Sequence, residues 1–119
     1  IPAVVQAFRA AFDSNDISRI SPLLIDSVFV AQDGDEAAGQ SLGRDETSGW
    51  LKEHWRGKPV YAGENYVRDS GLLVLTTTGW AAGAPILEGT VLFHLHRYDA
   101  EGAMNDAGGT WKIDTILYR

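Results

Sequence analysis

The apolar residues of this chain keep two different periods, and the change falls near Val60. Before it, Val4, Val5, Phe8, Ala11 and Phe12 recur three and four residues apart, as do Trp50, Leu51, His54 and Trp55, the spacing of one helix face. Asn15-Asp16 supplies a stop followed by an N-cap. Ile17, Ile20, Leu23 and Leu24 continue as a second short helix, interrupted at Ser21-Pro22. Ser27 to Gln32 is β-branched and aromatic, hence a strand, and 33–40 reads as a loop. Acids at Asp45 and Glu46 suit a helix start, with Gly57 and Pro59 as its end. After Val60 the period is two, with strands expected at 60–68, 71–80, 86–98 and 110–118. Helices first and antiparallel strands after them make an α+β chain.

At 119 residues the chain is read as a single domain, 1–119, with no repeat and no linker. Ten Lys and Arg against sixteen Asp and Glu give a net charge of −6. That charge repels phosphate backbones and anionic headgroups, so neither nucleic acid nor membrane is an expected partner. Cysteine is absent, which removes disulfides, thiol nucleophiles and thiolate metal sites. A cytoplasmic location is expected. The 13 glycines are scattered at turns, and neither a phosphate-cradling loop nor a dinucleotide fingerprint is present.

The chemistry-bearing stretch is Thr90 to Asp99, TVLFHLHRYD. Alternation puts Thr90, Leu92, His94 and His96 on one face and Val91, Phe93, Leu95 and Arg97 on the other. Taken alone, the pattern makes the odd face core and leaves the histidines wet. On the last strand, Lys112, Asp114, Ile116 and Tyr118 share a face by the same rule. His-x-His points two imidazoles the same way, but without an obvious further ligand no metal is expected.

Four pieces, in order, carry a resemblance to a known superfamily: AFRAAFDSNDISRI, LLIDSVFV, SLGRDETSGWL and GGTWKIDTILYR. Together they resemble the first helix and turn, the first-strand entry, the third-helix opening and the closing strand of the nuclear transport factor 2-like superfamily. The resemblance extends to its SnoaL-like and ketosteroid isomerase-like members. It implies a cone: a curved antiparallel sheet, cystatin-like, wrapped around N-terminal helices. An apolar cavity would open at one end, and dimers would form through the convex sheet face. The isomerase pattern is not kept. Its Tyr donor matches Phe8, its Asp base matches Gln32 with Asp33 one residue on, and its protonated Asp matches His94.

The resemblance would turn His94 into the cone, against the bare alternation. His94 is then expected as general acid or base, oriented by Asp114, with Asp33 and Tyr118 at the mouth and Phe8, Trp50 and His96 lining the cavity. A side chain with an ordinary pKa of ~6.5 suits proton transfer at neutral pH. No cofactor is expected. The expected function is binding of a small apolar molecule, with cofactor-free isomerisation, cyclisation or dehydration as its chemistry. The alternative is a non-catalytic dimerisation or binding module whose cavity is filled.

Overall fold

The computed structural model describes residues 3–32, 34–54, 60–67, 71–77 and 90–118. Helix α1, Ala3–Asp13, stops at Asn15, whose φ of 55° is left-handed. Asp16 then caps the next turn by accepting from the Ser18 N–H at 3.1 Å. In place of the expected second helix stand two 3-10 turns, Ile17–Arg19 and Ser21–Leu23, with Pro22 in the first turn of the latter, where its missing N–H costs nothing.

Strand β1, Leu24–Gln32, turns through Gly34, at φ 93°, into β2, Asp35–Gly43. This second strand corrects the loop expected over 33–40. Its sequence, DEAAGQSLG, has little strand propensity; pairing with β1 from Phe29↔Ser41 to Ser27↔Gly43 holds it. Helix α2, Arg44–His54, starts as its acids suggest, with the Glu46 carboxylate accepting from the Gly43 N–H at 3.3 Å. Strands β3 (Val60–Val67), β4 (Gly71–Thr77), β5 (Thr90–Tyr98) and β6 (Thr110–Tyr118) complete the order. Asp33, Gly57, Pro59, Trp55, Trp80 and the turns expected at 69–70 and 82–85 lie outside the described residues, as do the side chains of Phe12, Tyr61 and Tyr66.

The six strands form one mixed sheet in the order β2-β1-β6-β5-β4-β3. Strands β1 and β6 run parallel, and the other neighbouring pairs are antiparallel. Val4, Val5, Phe8 and Ala11 of α1 and Leu51 of α2 pack with Val28, Val30, Leu72, Val74, Val91, Phe93, Leu95, Ile113 and Ile116 in one core. Phe8 and Phe93 meet with ring centroids 5.0 Å apart, and neither is exposed. That contact fixes which face of β5 the helices cover. Among the described residues no helix is long and apolar enough to cross a membrane.

The opposite, outer face carries residues of the other parity. Cross-strand partners share a face, so register builds a row from Leu75 through Leu92 and Leu117 to Ala31, and a second from Leu73 through His94 and Thr115 to Phe29. Leu92 and Ala31 are nearly inaccessible yet stand outside the helix-side core. On β2, Gly39 allows the Phe29 ring and Ala31 Cβ to approach; a Cβ there would run into both. Phe8→Ala is expected to lower stability by about 3–5 kcal/mol through the cavity it leaves. Gly39→Val is expected to lower it by about 1–3 kcal/mol through overpacking against Phe29. Urea-unfolding midpoints check both.

Candidate functional site

Strand parity brings His94, His96 and Tyr98 onto the outer face of β5, away from α1. This overturns the expectation that His94 looks into the space between helices and sheet. The helix side of β5 is held by Val91, Phe93 and Leu95, all fully buried, because Phe93 is the residue that meets Phe8. The bare alternation of the sequence has the right face.

Asp114 reaches the same outer face by a different device. His94 pairs with Thr115 and Leu95 with Ile113, so Asp114 is an extra residue in β6. Such a bulge places two successive residues on one side and shifts the alternation beyond it. Ile113, Ile116 and Tyr118 therefore face the helices, while Lys112, Asp114, Thr115 and Leu117 face outward. The set Lys112, Asp114, Ile116 and Tyr118, expected on one face, is split between two.

The bulge makes a carboxylate-centred cluster. Asp114 Oδ2 accepts from His96 Nδ1 at 2.6 Å and from the Tyr98 hydroxyl at 2.7 Å. The His96 and Asp114 side chains are each 12% exposed, so the pair is shielded without being sealed. The resemblance makes Asp114 the orienting partner of His94; the structure pairs it with His96 instead. With Nδ1–H donating, a neutral His96 ring carries its lone pair on Nε2, the arrangement of a general base held by a carboxylate. Burial, and then Asp114 as hydrogen-bond acceptor and as nearby negative charge, raise the Tyr98 pKa well above the ordinary tyrosine range. Tyr98 thus stays a donor, and it is the member of the cluster that sequence reasoning missed. The signal was there: positions 94, 96 and 98 share a face by period two.

His94 stacks on His96 with centroids 4.6 Å apart. Its Nε2 is inaccessible and has no hydrogen-bond partner among the described residues. Burial lowers its pKa, with Asp114 pulling upward and His96 pushing down.

The remaining expected site residues stand elsewhere. Trp50 and Tyr118 do come together, 5.6 Å between centroids, on the helix side beside the end of β1, where Gln32 pairs with Tyr118. His54 joins them: it stacks on Trp50 at 4.3 Å and bonds the Trp50 carbonyl through Nδ1 at 2.8 Å. Phe8 is a core residue against Phe93. Among the described residues no three His, Asp or Glu side chains stand in position to share a metal ion.

A groove of about 730 Å³ opens where β1 and β6 part. Between the pairs Leu24↔Ile113 and Phe29↔Thr115, β1 advances five residues while β6 advances two, and the surplus chain bows away. Ile25, Ser27, Arg44, Asp99, Lys112 and Tyr98 contribute to its wall. Lys112 is tied at one end by donating to the Pro22 carbonyl at 2.9 Å. Tyr98 belongs to both groove and cluster.

No protein-family model and no curated protein matches the chain. Solved structures do. A DUF4783 family protein from Bacteroides uniformis is 14% identical at a TM-score of 0.56, over 94% of this chain and 92% of that one. A cystatin-fold protein from Novosphingobium aromaticivorans is 16% identical at 0.53, over 97% and 93%. A protein assigned provisionally as a ketosteroid isomerase, from Shewanella frigidimarina, is 13% identical at 0.52, over 98% and 92%. At these identities the likeness is one of fold: α+β, of the cystatin-like and nuclear transport factor 2-like kind.

Asp114→Asn is expected to remove the negative charge that holds the Tyr98 proton, so that one tyrosine ionises at markedly lower pH than in the parent. Tyrosinate absorbance through an alkaline titration checks this. Asp114→Ala, which strands two largely buried donors, is expected to cost about 2–4 kcal/mol in urea unfolding.

Proposed function

We propose that the chain binds a small molecule with an apolar body in the groove between β1 and β6, and that His96, oriented by Asp114, is the proton-carrying group of that site. The observation that carries this reading is the shared Asp114 Oδ2: it bonds His96 and also Tyr98, whose side chain is part of the groove wall. Ile25 and the Tyr98 ring offer apolar contact, with Ser27, Lys112 and the Tyr98 hydroxyl among the polar groups beside them. The chemistry this supports is cofactor-free proton transfer, as in isomerisation, cyclisation or dehydration. His96 Nε2 takes or returns the proton, and Asp114, held in place by the Tyr98 hydroxyl that donates to its Oδ2, stabilises the imidazolium. In this reading the sheet curves round the helices as a cone whose interior at α1 is packed by Phe8 and Phe93 rather than hollow, so the ligand side is the outer face.

A second reading rests on the row Leu75, Leu92, Leu117 and Ala31, with Phe29 beside it. Among the described residues no helix covers this row, whose Leu75, Leu117 and Phe29 keep partial exposure beside the nearly inaccessible Leu92 and Ala31; a homodimer formed sheet to sheet would bury it, and the chain would then be a non-catalytic module.

Amide shift mapping with a panel of cyclic ketones separates the two. The first reading expects shifts at Ile25, Ser27, Tyr98 and Lys112, and α-deuteration of a bound ketone that falls at least ~100-fold in His96→Gln. Shifts confined to the Trp50–Tyr118 end, or none, contradict it. The module reading expects a dimer in sedimentation that Leu117→Lys dissociates.

A further inference from the structure

His94 takes no part in the hydrogen bonds that join His96, Asp114 and Tyr98, yet it sits in the middle of the face they occupy. Its cross-strand neighbours are Leu73 on β4 and Thr115 on β6. The titratable groups facing it are His96 and Tyr98 from its own strand and Asp114 and Lys112 from β6. The facing residues of β4, Leu73 and Leu75, carry no charge, nor does Phe29 of β1. Its ring lies 4.6 Å from the His96 ring. The Nε2 that would need a partner once protonated has none among the described residues. Asp114, the carboxylate within this set, already accepts twice on Oδ2.

We propose that His94 is a proton-operated latch on the outer sheet face: neutral, it stacks on His96 between Leu73 and Thr115; charged, it is expelled from that stack and the β4–β5 face loosens around the His96–Asp114 pair. Two physical effects drive the expulsion. An imidazolium without a hydrogen-bond acceptor is costly in a half-buried place, and when His96 is also protonated two like charges stand ring to ring. The His96–Asp114 bond survives either state, because Nδ1–H donates whether the ring is neutral or charged. The structural effect of acid therefore falls on the His94 stack and not on the His96–Asp114 bond. Its functional consequence, release of the molecule held at the His96 centre, rests on the function proposed for that centre.

The contribution of His94 to the pH dependence has a definite direction. Burial lowers its pKa in the folded chain below the ordinary ~6.5 of the unfolded one. The unfolded state then binds the proton first as pH falls, so the contribution of His94 to stability is whole above about pH 6.5 and declines below it.

The test is a nuclear magnetic resonance titration of the full chain from about pH 8 to about pH 5, following the histidine rings and the backbone amides of β4 and β5. The latch requires the His94 ring to titrate below ~6.5, and the amides of Leu73, Val74, Phe93 and Leu95 to shift with the same midpoint. In His96→Gln that midpoint rises, and in His94→Phe the acid-dependent amide shifts and the loss of stability vanish. A second neutral variant, His94→Gln, guards against a packing fault in the first. His94 titrating at or above the ordinary value, or β4–β5 amides that stay still as it titrates, overturns the latch. Ketone binding that persists unchanged in His96→Gln contradicts the centre and leaves the latch standing.

Discussion

The contact between Phe8 and Phe93 decides what the rest of the sheet can present. Once the Phe93 ring is committed to the α1 side, Val91 and Leu95 must follow it into the core, and Leu92, His94 and His96 must take the other face. A one-residue slip of β5 would exchange the two sets, which would bury two imidazoles under α1 and expose Val91, Phe93 and Leu95. The free energy of burying three large apolar side chains rules that exchange out. The two imidazoles of β5 are thereby confined to the outer face, where they can remain partly hydrated.

The bulge at Asp114 then does what parity alone cannot. In a regular ladder, the residue between Ile113 and Thr115 could not keep both neighbours in their observed places. The extra residue lets Ile113 and Ile116 stay in the core while Asp114 and Thr115 both face outward. The same region of β6 is where β1 bows away and opens the groove. One irregular strand therefore supplies both the carboxylate and the space beside it, on a scaffold otherwise held by regular pairing.

Much of this was legible in the residues. The change of period near Val60 marked where the helix-bearing part gives way to the run of strands β3 to β6, Asn15-Asp16 marked the first helix end, and Arg44-Asp45-Glu46 marked the start of α2. The alternation in TVLFHLHRYD carried the correct face for His94; analogy with a cavity-facing catalytic position pointed the other way. Three things were hidden. DEAAGQSLG forms a strand because β1 offers it a ladder, which composition does not register. The bulge at Asp114 is set by matching Phe93 to Ile116 and Leu95 to Ile113, a long-range fit with no local signal. The bowing of β1 likewise depends on its register with a strand far along the chain, and the Lys112–Pro22 bond beside it joins residues 90 positions apart.

The most direct measurement is a two-dimensional nuclear Overhauser spectrum of the aromatic and imidazole protons. Cross-peaks between the Phe8 and Phe93 rings, and between His94 and His96, with none from His94 or His96 to Phe8, are the pattern this account requires. A cross-peak joining the His94 ring to Phe8 would put the histidine under the helix and contradict it.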